Sequence, residues 1–505
     1  MKISLHHQIA SLPQALIVPV AQNTDLESAF SFVAEKTQAP FELIKSDFKA
    51  ASKEVQTLYM EEGQENKRLF LLGLGEKPAV KDVLAAFRSF VFNRKSNLPP
   101  DLGIDFLHTT DNGHTIPWME AAVNGILLGL YDIGLYKTKK EAGNDQAFND
   151  NDASLHLYVS SSQAKAAKAA IDRGVALAHT QMEIFDLVNA PANKKTPQTM
   201  AEWAALSGAK YGYDVKVLNK EEIEAQGMHA LLAVNRGSEN PPTFIIMEYK
   251  PKDGTVLKKV GLVGKGVTFD TGGLSIKPST NMHYMKSDMG GAAAVMGTME
   301  MAAKLRLPLH LTAVVPATEN SVDAKSIRPG DVIGSYDGKT IEVIDTDAEG
   351  RLILADGLAY TARNFKPDVM IDLATLTGSC IRTLGTYAGG LFSNNDELAA
   401  ELLAAGQLTG ERLWQLPLWD DYKREIKSDV ADLKNFSGNP AAGAITAAKF
   451  LEAFIQDHPA WAHLDIAGVA VGDSEFSSQK SATAFGIRLL ICYLENLIAK
   501  TNSTV

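Results

Sequence analysis

Short apolar runs alternating with amphipathic stretches dominate the hydrophobic pattern at the start of the chain. Four apolar runs bounded by turn residues have the character of buried strands: residues 14–20, 68–75, 102–107 and 155–159. Helical periodicity marks the intervening stretches 80–92 and 118–131, and the polar stretch 143–152 is typical of a loop. The pattern predicts an N-terminal α/β domain over residues 1–165.

A long amphipathic pattern then runs over residues 162–188 and predicts a connecting helix at 166–190. Pro191, Pro197 and neighbouring Asn residues end it, because they favour turns. Further apolar runs of strand character follow at 214–218, 242–248, 259–264, 311–315 and 369–373, with helical patterns at 199–211 and 292–305. These elements predict a second domain over residues 191–505.

Alternation of strands and helices implies a sheet covered by helices on both faces. The sequence therefore predicts an α/β fold of two domains, each with a mixed or mostly parallel sheet covered by helices. In such sheets the ligand site lies beyond the carboxyl ends of the strands.

Composition narrows the class of protein. Among 505 residues, 45% are hydrophobic and 22% are charged, which is typical of a globular protein. No apolar run reaches the ~18 residues of a membrane span, and the first residues lack the apolar core of a signal peptide, so we expect a cytoplasmic protein. Two cysteines exclude a disulfide framework. The formal charge of −11 opposes binding to membranes and nucleic acids.

Three acids recur at every second position in the segment 343–352. If this segment is extended, Asp345, Asp347 and Glu349 project from one face and repel one another. Such an arrangement persists most easily around a cation, which predicts a metal site. Arg351, at a predicted helix start, adds an anion-binding corner. A solvated acidic turn is the alternative reading of these acids alone.

A Gly-rich loop follows the apolar run 259–264 and carries Lys265, Asp270 and Lys277. It does not fit a phosphate-binding loop, because Gly266 stands where a hydroxyl residue should follow the lysine. It fits a dinucleotide loop poorly, because its glycines do not open a helix. Asp288 adds another acid just before the helical pattern 292–305. We interpret these residues together as a close-packed catalytic floor.

Several motifs agree in order and spacing with one known family. They occupy residues 265–270, 275–278, 285–291 and 346–352, and further matches occupy 327–332, 372–378, 443–448 and 463–468. In these motifs the second domain resembles the leucyl aminopeptidase (cytosol aminopeptidase) family, whereas the first domain agrees only in its general α/β pattern. The resemblance implies that residues 191–505 form a catalytic metallopeptidase domain.

The resemblance implies two divalent metal ions in each subunit. One ion would be held by Lys265, Asp270, Asp288 and Glu349, and the second by Asp270, Asp347 and Glu349. A lysine ligand must be a neutral amine, so the cation has to overcome a reference pKa of about 10.4. Nitrogen with several carboxylates suits zinc, manganese or cobalt better than calcium.

The resemblance also implies the reaction, which is hydrolysis of the N-terminal residue from a peptide through a metal-bridging water. Lys277 would stabilise the oxyanion, and Arg351 would hold a bicarbonate that moves a proton. The substrate pocket would comprise Met285, Thr375, Gly378, Ala467 and Ala470. This largely apolar set is compatible with Leu or another apolar residue at the first position of the substrate, and the resemblance implies a leucyl aminopeptidase, which is a metalloprotease. By resemblance we also expect a homohexamer.

Two rival functions use the same residues. A two-metal phosphoesterase would also need carboxylates with a lysine and an arginine. A non-catalytic nucleic-acid-binding or scaffolding protein could keep a dead peptidase fold, although the complete ligand set and the acidic charge argue against it. One position departs from the family pattern, which ordinarily has Asn where this chain has Asp345. We expect this side chain in the outer shell of the metal site.

Overall fold

The computed structural model describes residues 1–22, 26–62, 65–108, 113–138, 147–149, 152–472 and 475–503. The chain divides into two compact units, Met1–Met182 and Glu183–Val505. We call them the first and the second unit. The division falls inside the stretch predicted as a connecting helix. The loop predicted over 143–152 lies outside the described residues, apart from 147–149 and 152.

The first unit contains a mixed sheet with helices. Its strands are β1 (Lys2–His6), β2 (Ala15–Ala21), β3 (Val55–Glu62), β4 (Glu65–Gly75), β5 (Asp101–Asp105) and β6 (Ser154–Tyr158). Its helices are α1 (Leu26–Thr37), α2 (Phe41–Asp47), α3 (Val80–Arg94) and α4 (Thr115–Leu130), and α5 (Ala164–Asn189) crosses into the second unit. The strand order is β1-β6-β5-β2-β4-β3, with only the β3–β4 pairing antiparallel.

The second unit holds the larger set of elements. Its strands are β7 (Asp214–Leu218), β8 (Thr243–Tyr249), β9 (Lys259–Gly264), β10 (Gly266–Asp270), β11 (His310–Asn320), β12 (Val332–Ile333), β13 (Ile341–Glu342), β14 (Val369–Ala374), β15 (Gly389–Ser393), β16 (Leu413–Gln415), β17 (Leu433–Lys434), β18 (Trp461–Asp465), β19 (Val471–Gly472) and β20 (Ser481–Ala482). Its helices are α6 (Pro197–Tyr211), α7 (Lys220–Ala225), α8 (His229–Asn235), α9 (Gly290–Leu305), α10 (Gly350–Phe365), α11 (Gly378–Leu384), α12 (Asp396–Thr409), α13 (Gly443–Glu452) and α14 (Ile487–Ser503).

The main sheet of the second unit is built around four parallel strands. Its order is β16-β15-β18-β14-β9-β11-β8-β7, and β10 pairs with β11 beside this path. Strands β18, β14, β9 and β11 are parallel neighbours, so their carboxyl ends meet at one edge. At this edge the chain places Lys265 after β9, Asn320 at the end of β11, and Thr375 after β14. This is the edge at which an α/β sheet binds its ligand.

Two helices begin where acidic residues end the preceding loops. Helix α9 starts two residues after Asp288, and α10 starts directly after Glu349. Both helices are buried along most of their length because their sequences are apolar or small on nearly every face. The positive end of each helix dipole lies close to these carboxylates and favours their charged form.

These observations confirm the predicted fold class of two α/β units, each with a mixed sheet flanked by helices. Within the described residues, no helix is both long enough and apolar enough to cross a membrane.

Candidate metal centre

Lys265 lies at the centre of the first group of charged side chains. Its Nζ is 2.8 Å from Asp288 Oδ2, 2.9 Å from Glu349 Oε1 and 3.0 Å from the carbonyl oxygen of Thr375. The hydroxyl of Thr375 also donates to Asp288 Oδ1 at 2.8 Å. Lys265 and both carboxylates are almost completely buried. The ammonium group of Lys265 is thus enclosed by two carboxylates away from water.

Lys277 joins the second group. Its Nζ is 2.8 Å from Asp270 Oδ2 and also contacts Asp347. The other oxygen of Asp270 accepts hydrogen bonds from the Gly272 N–H at 2.9 Å and from Asn320 Nδ2 at 2.8 Å. Carboxylate oxygens of Asp270, Asp347 and Glu349 all lie within 4.8 Å of one another. The two groups therefore form one continuous charged centre.

The acidic segment 343–349 is not a strand: the chain bends at Ile344 and turns at Thr346 and Asp347, so the condition under which its three acids would share one face is not met. Only Ile341 and Glu342 pair as strand β13, and the chain bends before Asp347. The carboxylate of Asp345 accepts the backbone N–H of Asp347 at 2.9 Å, which stabilises this bend. Strand alternation therefore does not place Asp345 beside Asp347 and Glu349. Its side chain caps the turn that presents Asp347.

Asn435, which the sequence analysis did not single out, holds this turn in place. Its side chain is fully buried, accepts the Ile344 N–H at 2.8 Å and donates to the carbonyl oxygen of Asp345 at 2.7 Å. Its own carbonyl accepts Arg351 Nη1 at 2.7 Å. Its position in a polar loop next to β17 carries no periodic signal, so sequence reasoning had little to find it by. Asn435 thus fixes both the turn and the arginine.

Glycines allow the segments of the centre to approach one another. Gly272 and Gly273 have left-handed backbones with φ of 87° and 65°. A Cβ on Gly273 would lie 2.9 Å from Thr346 Oγ1, whose hydroxyl donates to the Gly272 carbonyl at 2.7 Å. A Cβ on Gly350 would collide with Cε of Lys265. At positions 272, 273 and 350, a larger side chain would therefore be strained or would clash with its neighbours.

Repulsion among the acids shifts the pKa values of their carboxyl groups upward. Burial raises the pKa of Asp347 and of Glu349, and the neighbouring Asp270 carboxylate raises both further. Burial alone would lower the pKa of Lys265 and Lys277, but the surrounding carboxylates outweigh it and raise both values. The acids therefore require compensating positive charge, and the lysines supply part of it.

The donor set fits bound divalent cations. Four carboxylates, from Asp270, Asp288, Asp347 and Glu349, surround two lysines, so the fully ionised centre keeps a negative excess. Among the described residues, Glu349 Oε2 is buried and has no hydrogen-bond partner, which is costly for a carboxylate oxygen. One amine and four carboxylates are ligands that zinc, manganese and cobalt accept. The residues present thus fit divalent metal ions.

Arg351 is buried at the start of α10. Burial lowers its pKa to about 10, although the charges of Glu349 and Asp345 favour the cation. Its Nη1 donates to the Asn435 carbonyl, whereas its buried Nε has no hydrogen-bond partner in the part of the chain that the structure describes. A fixed guanidinium with an unsatisfied donor is suited to binding an anion.

A cavity of about 600 Å³ opens over the centre. Most of the predicted site residues line it: Lys265, Asp270, Lys277, Met285, Asp288, Asp345, Asp347, Arg351, Thr375, Gly378 and Ala467. Glu349 and Ala470 do not. Ala470 is buried, and its Cβ lies 2.9 Å from where a Cβ on Gly290 would stand.

Asp465 organises the wall of this cavity, although its motif was noted in the sequence without a role. Its carboxylate accepts the Thr377 hydroxyl at 2.6 Å and the N–H groups of Leu376 and Ala467 at 3.2 and 3.1 Å. It therefore joins the loops that follow β14 and β18 and that carry Gly378 and Ala467.

Lys195 is a second residue that sequence reasoning missed. It is fully buried, and its Nζ donates to the carbonyl oxygens of Val188, at 3.2 Å, and Lys286. Lys286 in turn donates from Nζ to the carbonyl of Asn189 at 2.8 Å. The two lysines thus bind the end of α5 to the 3-10 helix Met282–Ser287, which precedes Asp288.

Comparison with known proteins identifies the family. Residues 184–491 match the model of the cytosol aminopeptidase family, catalytic domain. The chain belongs to the cytosol aminopeptidase family. The resemblance seen in the sequence motifs is thereby confirmed, and the matched residues contain the whole charged centre.

Similarity to individual relatives extends over nearly the whole chain. The chain is 44% identical to a probable cytosol aminopeptidase of Chloroherpeton thalassium over 510 residues, covering 98% of this chain and all of that protein. It is 44% identical to a probable cytosol aminopeptidase of Chlorobaculum tepidum, covering 89% and 90% of the two chains. The solved structure of the bottromycin maturation enzyme BotP in complex with Mn has a TM-score of 0.82, with 32% identity over 96% of this chain and 99% of that one.

Family membership makes the protein a metal-dependent aminopeptidase, a protease of the hydrolase class that acts on peptides. It favours peptide hydrolysis over both rival functions, the phosphoesterase and the non-catalytic scaffold.

Proposed function

We propose that the protein is a two-metal leucyl aminopeptidase that removes Leu or another apolar residue from the N-terminus of peptides. The observation that carries this proposal is the convergence of Asp270, Asp347 and Glu349 within 4.8 Å beside the cavity. The buried pair of Lys265 and Asp288 adjoins these three acids. Together they supply ligands for two ions.

One ion would be held by Lys265, Asp270, Asp288 and Glu349, and the other by Asp270, Asp347 and Glu349. Zinc, manganese and cobalt suit this donor set, and the similar enzyme BotP, solved in complex with Mn, supports manganese among them. When bound, the ions would acidify a water molecule and polarise the peptide carbonyl.

Lys277 is proposed as the oxyanion donor. Asp270 and Asp347 hold its Nζ at the edge of the cavity and keep it protonated, because their charges raise its pKa. A fixed ammonium can donate a hydrogen bond to the carbonyl oxygen as negative charge develops there. Its position is set by two carboxylates, so little reorganisation is needed during the reaction.

Arg351 is proposed to hold a bicarbonate ion. The support is its buried, unsatisfied Nε and the anchoring of its Nη1 by Asn435. A bicarbonate bound there would supply a group that can accept and return a proton.

The preference for Leu is proposed from the wall of the cavity. Met285, Thr375, Gly378 and Ala467 line it and present mainly apolar surface. Such a wall favours a substrate side chain that loses apolar surface to water on binding. Ala470 does not line the cavity, so it can shape the pocket only through its neighbours.

A homohexamer in the cytoplasm completes the proposal. Tyr387, Trp414 and Trp419 of the second unit are 83%, 65% and 64% exposed, which is unusual for large aromatic side chains and suits a subunit interface. The names of the relatives support the location. Light scattering under active conditions should give a closed assembly, and a stable monomer of 54.5 kDa would contradict it.

Metal removal tests the reaction. Dialysis against a strong chelator should abolish hydrolysis of Leu-p-nitroanilide, and manganese, zinc or cobalt should restore it. Elemental analysis of the manganese-restored protein should give two ions per chain. The matched substrate is p-nitrophenyl phosphate, which a two-metal phosphoesterase would cleave and this enzyme should not. Full activity in demonstrably metal-free protein would contradict the proposal.

A further inference from the structure

A group of polar side chains lies on one face of the first unit's sheet. Ser4 and His6 stand two residues apart on β1, and His156 on β6 is the registered neighbour of Ser4. Ser4 Oγ lies 2.7 Å from His156 Nδ1 and 2.9 Å from His6 Nε2, and the two imidazole nitrogens are 3.1 Å apart. We call Ser4, His6 and His156 the histidine triangle.

Asp101 fixes the orientation of one ring. His156 Nε2 lies 2.7 Å from Asp101 Oδ1, and the other oxygen of Asp101 accepts the Gln14 N–H at 3.1 Å. Because a carboxylate accepts hydrogen bonds, His156 donates from Nε2 to Asp101, and in the neutral ring Nδ1 therefore directs a lone pair into the triangle. A carboxylate behind a histidine is the arrangement that orients metal-binding histidines in proteins.

His6 is suited to the same role. Its Nε2 lies 2.9 Å from Ser4 Oγ and 3.1 Å from His156 Nδ1, so this nitrogen is directed into the triangle. Its ring packs against Tyr158 with centroids 5.5 Å apart. A Cβ on Gly103 would lie 2.9 Å from Cε2 of Tyr158, so the glycine leaves room for this supporting ring.

The distances within the triangle match those around a single ion. Two nitrogens bound to one zinc ion at about 2.0–2.1 Å lie between about 2.8 Å apart, for a right angle at the ion, and about 3.4 Å apart, for the tetrahedral angle. The 3.1 Å separation of His6 Nε2 and His156 Nδ1 falls in this range. The side chains of His156 and Asp101 are 25% and 36% exposed, so water can complete the coordination.

Ser4, His156 and Asp101 also have the order of a nucleophile, a base and an orienting acid. A serine nucleophile needs the base nitrogen to itself, because that nitrogen takes the serine proton. Here His6 Nε2 lies within 3.1 Å of the same nitrogen. Two nitrogens converging on one point favour metal binding over nucleophilic catalysis.

We propose that His6 and His156 form a binding site for a divalent transition metal in the first unit, with Ser4 Oγ or water as a further ligand and Asp101 as the orienting carboxylate. Imidazole ligands select zinc, cobalt, nickel or copper over magnesium and calcium. This site belongs to different residues from the charged centre of the second unit and does not depend on the aminopeptidase function.

Zinc stoichiometry of the full-length protein tests the proposal. Equilibrium dialysis against zinc buffered in the micromolar range should leave one more zinc ion per chain in the wild type than in the double variant His6→Ala, His156→Ala. His7→Ala is the matched control, since His7 Nδ1 contacts the carbonyl of Val159 outside the triangle. Anomalous scattering at the zinc edge should give a peak between His6 and His156.

A graded variant separates metal binding from a hydrogen-bonded cluster. Asp101→Asn keeps both imidazoles but removes the orienting charge, so zinc affinity at this site should fall about 10–100-fold. Retained Leu-p-nitroanilide hydrolysis in every variant shows that the proteins are folded. Equal zinc content in the wild type and the double variant would overturn the proposal. An equal loss of zinc in His7→Ala would also overturn it, because zinc binding would then not depend on the specific geometry of His6 and His156.

Discussion

The two units have similar sheets but differ in where their polar side chains lie and in how deeply these are buried. In the second unit, Lys265, Asp270 and Glu349 are buried beyond the ends of parallel strands. In the first unit, the histidine triangle lies on a sheet face at the edge strand β1, partly exposed and with one carboxylate behind it. Buried like charges must be neutralised by cations, whereas neutral imidazoles at the surface are stable without them. Position in the sheet thus decides how strongly a site depends on its metal.

Two buried lysines, one in each unit, also differ in the charge of their neighbours. Lys67 of the first unit pairs with the carboxylate of Glu62, which lowers the pKa of Glu62. Lys195 of the second unit has only carbonyl oxygens as hydrogen-bond acceptors. Burial, and then the charge of Lys286, lower the pKa of Lys195 to about 7. A buried lysine without a carboxylate is therefore close to losing its charge at neutral pH.

The largest effect should come from the two lysines of the charged centre. Lys277→Ala should keep the metal ions but reduce turnover of Leu-p-nitroanilide about 10²–10³-fold, the scale of a lost oxyanion donor. Lys265→Ala should reduce metal content, since it removes a proposed ligand. Elemental analysis and kinetics on the same preparations measure both. Equal metal loss in the two variants would contradict the separate roles.

Asn435→Ala should destabilise the protein and weaken metal retention. It leaves the Ile344 N–H and the Asp345 carbonyl oxygen of the half-buried acidic turn without this partner, at a cost of about 1 kcal/mol for each lost hydrogen bond. Asn124→Ala in the first unit is the matched control, because Asn124 is buried and donates to Gln181 at 2.9 Å. That variant should lower the melting temperature without changing metal content. Equal metal content in both variants would argue against Asn435 as a support of the centre.

Lys195→Met should change the pH dependence of stability. The pKa of Lys195 is lowered to about 7 in the folded protein, so between that pH and the unfolded value of about 10.4 the unfolded chain binds more protons. Stability from this group therefore rises with pH across that window and is absent below it. Lys195→Met should remove this rise, whereas Lys67→Met should keep it. Thermal unfolding at several pH values measures the difference, and an unchanged slope in Lys195→Met would contradict it.

Asp345→Asn should have the smallest effect. The amide oxygen can still accept the Asp347 N–H, so the turn is retained while one negative charge is lost. We expect weaker retention of the looser metal and an acid limb of the pH–rate profile moved to lower pH, since less negative charge eases formation of hydroxide. Asp345→Ala also loses the hydrogen bond from the Asp347 N–H, so it should weaken metal retention further than Asp345→Asn does. Identical titration calorimetry and pH–rate curves in Asp345→Asn and the wild type would rule out an outer-shell role.

Periodicity predicted many of the buried strands, such as β2, β9 and β11, because each is a continuous apolar run, but it missed the buried strands β15 and β18 and the helices α12 and α14. It did not predict β1 or β3, whose sequences alternate or are largely polar, nor the short strands β12, β13 and β17. Edge strands and two-residue strands bury too little surface to leave a pattern. Their pairing is decided by neighbours that are distant in sequence.

The motif residues of the centre were predictable because their order and spacing resemble those of the family, and their types suit the chemistry: acids for a cation, lysines beside them and glycines where segments touch. The supporting residues Asn435, Asp465 and Lys195 were not assigned a role. Each acts on backbone groups far away in the chain, as when Asn435 reaches Ile344. Such contacts leave no spacing rule in the sequence.

The sequence by itself determined the fold class, the family and the set of charged residues near a metal site, since these follow from periodicity and from residue types at fixed spacing. Only the tertiary structure decided that the acidic segment bends. Strand alternation would have put Asp345 beside Asp347, but the Asp345 carboxylate and Asn435 instead stabilise a turn. It also brought His6 and His156, 150 positions apart, within 3.1 Å of each other. Proximity of that kind comes from strand pairing, which local sequence does not encode.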